Sequence, residues 1–431
     1  MKIGKQLSGF WRQVLTLSSG TVLAQLLVLA ATPVLTRLYE PEAFALLGAY
    51  LGATLVLTVI ANGGYELAIM LPGEEGDAHR LFQLCVLLSL LAAGAMALLG
   101  ALGATWLLEQ VKLPELLGWH YLLPLSMLME GVGQALYQLL NRRQAYRLLA
   151  GSRLARALAQ LLLSLSWGFW SGDFQGLLAG LLAGQGAGLA FLLWGYAQKV
   201  EKTPFVLSAI FHSARQYRDF PLFAVLSNGL NTAGKQLPFF FLPALFPLNS
   251  LGKTMSGHFQ QTQKLLSLPI GWLGVSLGSV FYEKASKAEK EGGEALWQLS
   301  WRMARTLFLL GLGPSLVVML FGPQLFGWVL GEAWTEAGYY ARWLMPWFFL
   351  TFMAVPLSYL VDVKRKLGIY LLFNLLLFVG QLLALNGGAS LGQHGIIQLY
   401  GLVSGLLVLA QLAYFIFLAY DSARKSRAEK A

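Results

Sequence analysis

The chain has 431 residues, 56% hydrophobic and only 12% charged, with a mean hydropathy of +0.59. Soluble domains carry about 25% charged residues, so the composition excludes a soluble enzyme and points to an integral membrane protein. The net charge of +10 raises nucleic acid as a partner, which the placement of the basic residues argues against, and the single cysteine, Cys85, excludes an internal disulfide.

A helix needs about 20 apolar residues to cross a bilayer. On that length the sequence predicts twelve spans, near 15–38, 42–63, 80–107, 119–140, 155–171, 175–198, 221–246, 257–281, 301–322, 339–361, 367–386 and 395–419. The run after the short basic segment Met1–Arg12 is too long for a cleaved signal peptide and reads as the first span. With the N-terminus cytoplasmic, 25 of the 31 basic residues fall on inner segments, including Arg142, Arg143, Arg147, Arg153 and Arg156 around the inner ends of spans four and five. Arg37, Lys112, Lys253 and Arg342 fall outside, and both termini come out cytoplasmic. The positive charge is therefore a topology signal and a contact with anionic lipid head groups rather than a nucleic-acid footprint.

The longest inner connections are 141–154, 199–220 and 282–300, too short for a soluble catalytic domain; 282–300 reads as a short surface helix. The organisation expected is an N-terminal lobe of six helices (1–200), a cytoplasmic linker (201–220), a C-terminal lobe of six helices (221–420) and a basic tail (421–431). Two echoes support halves: Pro33 and Pro238 late in spans one and seven, and Tyr65-Glu66-Leu67-Ala68 against Tyr282-Glu283-Lys284-Ala285 at the ends of spans two and eight. Transporters are often built from such repeats.

Two lysines, Lys235 and Lys264, and one glutamate, Glu130, lie inside apolar runs. A charge at the bilayer centre is disfavoured by roughly 3 kcal/mol on insertion scales, so such residues face a partner or a hydrated cavity. Helical spacing gathers other polar residues beside them. Ser18, Thr21, Gln25, Thr32 and Thr36 share a side of the first span; Glu130, Gln134, Gln138 and Asn141 a side of the fourth; Asn228, Asn231 and Lys235 a side of the seventh. Gln260, Lys264, Ser267 and Gly271 align in the eighth, and Asn374 and Gln381 in the eleventh. Each stripe alone is explained by hydrogen bonds to neighbouring helices; together they favour a hydrated central cavity between the lobes. For the lysines two readings stand: an ion pair with Glu130 or another acid, or contact with an anionic cargo. Glu130 and Glu66 are candidates for ion pairing or for coupling to a proton or cation. Arg37 reads as an interfacial anchor or a cation at the outer mouth.

Glycine at every fourth position from Gly176 to Gly188 reads as a packing ridge in the sixth span. The five histidines have no metal-ligand spacing, His258 reads as interfacial, no phosphate-binding glycine loop is present, and no catalytic residue or cofactor is expected.

Several segments resemble the bacterial polysaccharide repeat-unit flippases (Wzx-type, O-antigen) of the superfamily that also holds multidrug extruders. They are Ser19-Gly-Thr-Val-Leu-Ala-Gln25, Pro33-Val-Leu-Thr-Arg-Leu-Tyr39 with Pro41-Glu-Ala-Phe44, and Tyr65-Glu-Leu-Ala-Ile-Met-Leu-Pro72. Tyr217-Arg-Asp-Phe-Pro221, Gln263-Lys-Leu-Leu-Ser-Leu-Pro269, and Leu320-Phe-Gly-Pro323 with Trp334-Thr-Glu-Ala-Gly338 follow in the expected order. Two positions depart from the pattern: Gly64 stands where members commonly carry arginine, and Lys264 where arginine is frequent. The resemblance implies an alternating-access flippase that moves undecaprenyl-diphosphate-linked oligosaccharide across the bacterial cytoplasmic membrane. The residues fit this: Lys235, Lys264 and Arg37 for the diphosphate and the amides Asn228, Asn231, Gln260 and Gln25 for the sugars, with Lys235 outside the family pattern and read as particular to this cargo. Membrane lipids, a polysaccharide polymerase and a chain-length regulator are the other partners the resemblance suggests, with H+ or Na+ coupling open. The rival readings are a multidrug or cation extruder of the same superfamily and a membrane-embedded transferase of polysaccharide assembly.

Overall fold

The computed structural model describes residues 20, 22–199, 204–218, 220–221 and 225–428. Lys2, Lys5, Arg12, Ser18, Thr21 and the last tail residues, which carry parts of the reading above, lie outside them. Among the described residues the chain is helical throughout, with no strand. It divides into two compact units, Met1–Thr232 and Ala233–Ala431.

Over its described residues, each of the twelve expected spans coincides largely with helix. The first unit holds α1 (Val22–Leu38), α2 (Pro41–Ala61), α3 (Glu75–Gln110), α4 (Leu123–Arg142), α5 (Tyr146–Gly168) and α6 (Phe174–Lys199). Then come α7 (Val225–Leu245), within which the division falls, α8 (Leu251–Pro269), α9 (Val275–Glu291), α10 (Gly293–Leu330), α11 (Thr335–Leu357), α12 (Leu367–Gly388) and α13 (Gly392–Ala428). Seven stretches among the described residues are long and apolar enough to cross a membrane, and they take in α2, α3, α5, α6 and α10 to α13. The helices of similar length that fall short of that apolarity are α4, α7 and α8. These three carry Glu130, Lys235 and Lys264. The polar positions are thus concentrated in a few helices rather than spread thinly over all.

Local chemistry accounts for the breaks. Pro41 opens α2 at a position where its missing N–H is not needed, with Glu42 in the first turn against the helix dipole. The α2 end turns through Gly63 and Gly64, both in the left-handed region at φ +59° and +73°. A side chain at Gly64 would be strained, which gives a physical reason for glycine at this position. Asn62 is fully buried; its Nδ2 donates to Gly131 O at 3.0 Å and its Oδ1 accepts from Ser89 Oγ at 2.7 Å, tying α2 to α3 and α4. Pro269 interrupts the helical ladder and is followed by a π turn, Ile270–Gly274, before α9 continues.

The glycine ridge of α6 packs on α5. A methyl group built at Gly180 would lie 2.8 Å from Gln160 O, and one at Gly184 2.9 Å from Arg156 O. The backbones of α5 and α6 therefore approach closely, and Tyr39 Oη donates across to Ser164 O at 2.5 Å.

Three expectations are corrected. The connection 141–154 is mostly helix: α4 ends at Arg142 and α5 starts at Tyr146, with Gln144 at φ +56° making the turn. The segment 282–300 is not a separate surface helix, because α9 runs on to Glu291 and Gly292, at φ +133°, breaks it from α10. His258 is not interfacial; it is buried between Trp334 and Tyr340, its Nε2 2.9 Å from Ala333 O. Within 201–220 lies a ten-residue helix, Leu207–Gln216, whose Ile210 is fully buried in the first unit's core and whose Ala214 carbonyl accepts from Tyr65 Oη at 3.0 Å.

Candidate functional site

Lys235 and Lys264, the cationic residues of the seventh and eighth spans, both lie in the second unit. Gln263 Nε2 donates to Lys235 O at 3.1 Å, which sets the α7 and α8 backbones side by side at the level of Lys235 and Lys264. Neighbouring Gly234 is buried against α12 and α13: its carbonyl accepts from Tyr400 Oη at 3.1 Å, and a side chain there would collide with Gln381. Lys235, one residue on, is turned about 100° from that packed face and is half-buried, as is Lys264. Among the described residues no carboxylate lies within salt-bridge distance of Lys235. Gln260, one turn before Lys264, is buried, with Oε1 lacking a hydrogen-bond partner among the described residues. The α12 stripe serves packing in part: Gln381 Nε2 donates to Ser404 Oγ at 3.1 Å.

Asn228 and Asn231 belong to the first unit, Asn228 exposed and Asn231 half-buried. Gln25 is half-buried on α1, its Oε1 without a described partner. Arg37 is exposed and donates to Pro33 O at 2.8 Å, one turn back on its own helix.

Glu130 sits elsewhere and is half-buried. Its carboxylate accepts from Arg156 Nη2 of α5, so its ion-pair partner is an arginine of its own unit rather than a lysine of the other. The pair lines a cavity of about 350 Å³ in the first unit, together with Glu66, Gln134, Tyr137, Gln138, Arg153 and Gln185. Arg153 Nη2 donates to Tyr137 Oη at 2.6 Å while its guanidinium carbon lies 4.9 Å from that ring's centroid, a cation–π contact. Gln185 accepts at Oε1 from Ser126 Oγ at 2.7 Å, and its buried Nε2 has no described partner.

Glu66 is carried by the short helix Tyr65–Ala68 in the connection between α2 and α3. Its Oε2 is buried without a described partner, and burial holds the carboxyl above the ordinary value of 4.5. The sign is that of a desolvated acid: the neutral form is favoured, so the cavity becomes more positive as pH falls through the raised pKa. An infrared titration of wild type against Glu66→Gln should show a carboxyl band that persists above pH 4.5; a midpoint at or below that value would contradict the buried placement. The chain just beyond is clamped by Arg142, which donates to the carbonyls of Ile69, Met70 and Pro72 at 3.4, 3.2 and 2.6 Å, while Glu75 receives Arg142 and Arg143 at 3.0 and 2.9 Å.

Arg153, Arg156 and Gln185 were not among the residues expected from sequence. With the fifth span drawn from residue 155, both arginines counted as inner topology charges at its cytoplasmic end. Their spacing of three, about two turns after Tyr146, is the signal that places both on one helical face.

The comparisons extend over nearly the whole chain. An inward-facing multidrug resistance transporter of the MATE family, MOP superfamily, superposes with TM-score 0.72 at 14% identity, covering 96% of each chain. The lipid II flippase MurJ in an inward closed conformation gives 0.66 at 14% identity, covering 94% of this chain and 91% of its own. A MOP-superfamily transporter from Pyrococcus furiosus, described as having a binding pocket of reverse polarity, gives 0.63 at 15% identity over 95% of both chains. No curated protein sequence matches the chain. At these identities the solved structures establish the fold, that of multi-pass membrane transporters. A family model described as polysaccharide biosynthesis protein matches residues 34–338. The chain therefore belongs to that polysaccharide biosynthesis family, built on a transporter fold.

Proposed function

We propose that the chain is a flippase that moves an undecaprenyl-diphosphate-linked oligosaccharide repeat unit across the bacterial cytoplasmic membrane by alternating access, for O-antigen or another surface polysaccharide. The observation that carries this reading is the placement of Lys235 and Lys264 at one level on adjacent helices, held by the Gln263 to Lys235 carbonyl hydrogen bond. Two half-buried ammonium groups in weakly apolar helices suit an anionic cargo. The family's description and the fold shared with a lipid II flippase support it. Arg37 supplies a further cation, and Gln25, Asn228, Asn231 and Gln260 supply hydrogen bonds to sugars. The polyprenyl chain stays in lipid, and a polymerase and chain-length regulator act on the delivered unit. H+ or Na+ coupling runs through Glu66 or Glu130.

A second reading, a cation extruder, rests on the buried, unpartnered Glu66 oxygen in the first unit. Deleting the gene separates the two. The flippase reading expects loss of surface polysaccharide and accumulation of lipid-linked repeat units on the inner leaflet. Normal polysaccharide with no trapped intermediate, combined with new sensitivity to cationic drugs, would overturn it in favour of the extruder.

A further inference from the structure

The cavity of the first unit has an unusual inventory of donors for the interior of an apolar unit. Arg153 and Arg156 stand one turn apart on α5 and both line it. Gly188 of α6 lets that helix approach: a methyl group there would be 3.3 Å from Arg156 Cβ. Gln185, 3% exposed, is oriented by Ser126 at its oxygen, so that its amide nitrogen is the end left without a described partner. Buried donors are almost always satisfied, and a donor beside two guanidinium groups matches the oxygens of a phosphate ester. Glu130 is ion-paired to Arg156. Glu66 also lines the cavity.

We infer that this cavity is an anion site for a diphosphate head group, bound by Arg153, Arg156 and Gln185, and that Glu130 is a built-in competitor which the ligand displaces from Arg156. The flippase reading is used only to choose a diphosphate as the ligand; the site itself stands on the side chains of α4, α5 and α6. The pair has a function beyond holding helices together: with no ligand, Glu130 neutralises a guanidinium that would otherwise be half-buried alone, and on binding the phosphate takes its place. The exchange makes the contact between α4 and α5 depend on whether the site is filled.

The competitor role has a sign that a structural ion pair lacks. With the full-length protein in lipid nanodiscs, affinity for farnesyl diphosphate and for inorganic pyrophosphate is measured by microscale thermophoresis. Arg153→Gln and Arg156→Gln are expected to weaken binding at least tenfold, and Glu130→Gln to tighten it threefold or more. A gain in affinity cannot arise from misfolding, so the Glu130 variant keeps the test decisive if an arginine variant is unstable. Tighter binding of farnesyl diphosphate than of pyrophosphate assigns a lipid head group. Equal binding with the same pattern among the variants supports the site and assigns a free phosphate compound. Weakened or unchanged binding in Glu130→Gln, or no binding of either probe by the wild type, overturns the proposal. Failure here with a polysaccharide defect on gene deletion leaves the flippase reading standing. The expected affinities with normal polysaccharide leave the site standing and remove the flippase.

Discussion

Replacing Gly338 by alanine should lower the thermal stability of the purified protein far more than the same change at Gly313. A methyl group at Gly338 meets Gly322 O and lies 2.5 Å from Pro323 Cα, and one at Gly322 meets Gly338 O in turn. The obstruction is backbone on both sides, so no side chain can rotate away. Overpacking commonly costs about 1–3 kcal/mol, and with two backbones to displace the expected loss is about 3 kcal/mol, a fall in Tm of about 3 °C for a chain of this length. Gly313→Ala on the same α10 is the control: nothing lies within 4 Å of its added methyl group, and alanine favours the helix. Fluorescence-detected chromatography after heating checks both. If Gly338→Ala melts with Gly313→Ala, α10 and α11 do not pack as closely as described. The two glycines belong to the segments Leu320–Pro323 and Trp334–Gly338, so this resemblance to the flippases has a packing explanation.

The second large effect is expected at Lys264. In a deletion strain carrying the variant, Lys264→Ala should restore at most about a tenth of the surface polysaccharide at normal protein level, and Lys264→Arg clearly more. The estimate follows from a hydrogen bond to a charged group contributing about 1.5–3 kcal/mol, or roughly ten- to a hundredfold in affinity. Lys235→Ala should act in the same direction. Full activity of both alanine variants would remove the anionic cargo from this part of the molecule. Lys264→Met separates cargo from scaffold: a protein that melts with the wild type yet is inactive points to cargo. A Lys264→Met protein that is stable and fully active would show that the charge serves no purpose.

Hydrophobic runs made the helices legible because burial in lipid demands about 20 apolar residues whatever surrounds them. The end points were less legible. Arg147, Arg153 and Arg156 follow a cytoplasmic turn, so charge counting placed all three as inner topology charges, whereas α5 begins at Tyr146 and carries Arg153 and Arg156 up its face. A count of charges distinguishes inside from outside but not a loop from the first turns of a helix. The ridge from Gly176 to Gly188 was legible as packing, since a spacing of four admits a neighbouring backbone along its whole length; that the neighbour is α5 was not. His258 read as interfacial because its place near a predicted span end says nothing of Trp334 and Tyr340, which cover it from far along the chain.

The sequence by itself determined the membrane class, the existence of the helices and the identity of the charges that lipid would not tolerate, because each depends on a residue's own transfer energy and on spacing along one helix. Only the tertiary structure decided which charges meet. It brought Lys235 and Lys264 level through a hydrogen bond between α7 and α8, gave Glu130 to Arg156 across 26 residues of chain, and gathered Arg153, Arg156 and Gln185 about one cavity. Coulomb attraction and hydrogen bonding act over a few ångströms through space, and helices this long bring together groups whose separation along the chain carries no trace of that proximity.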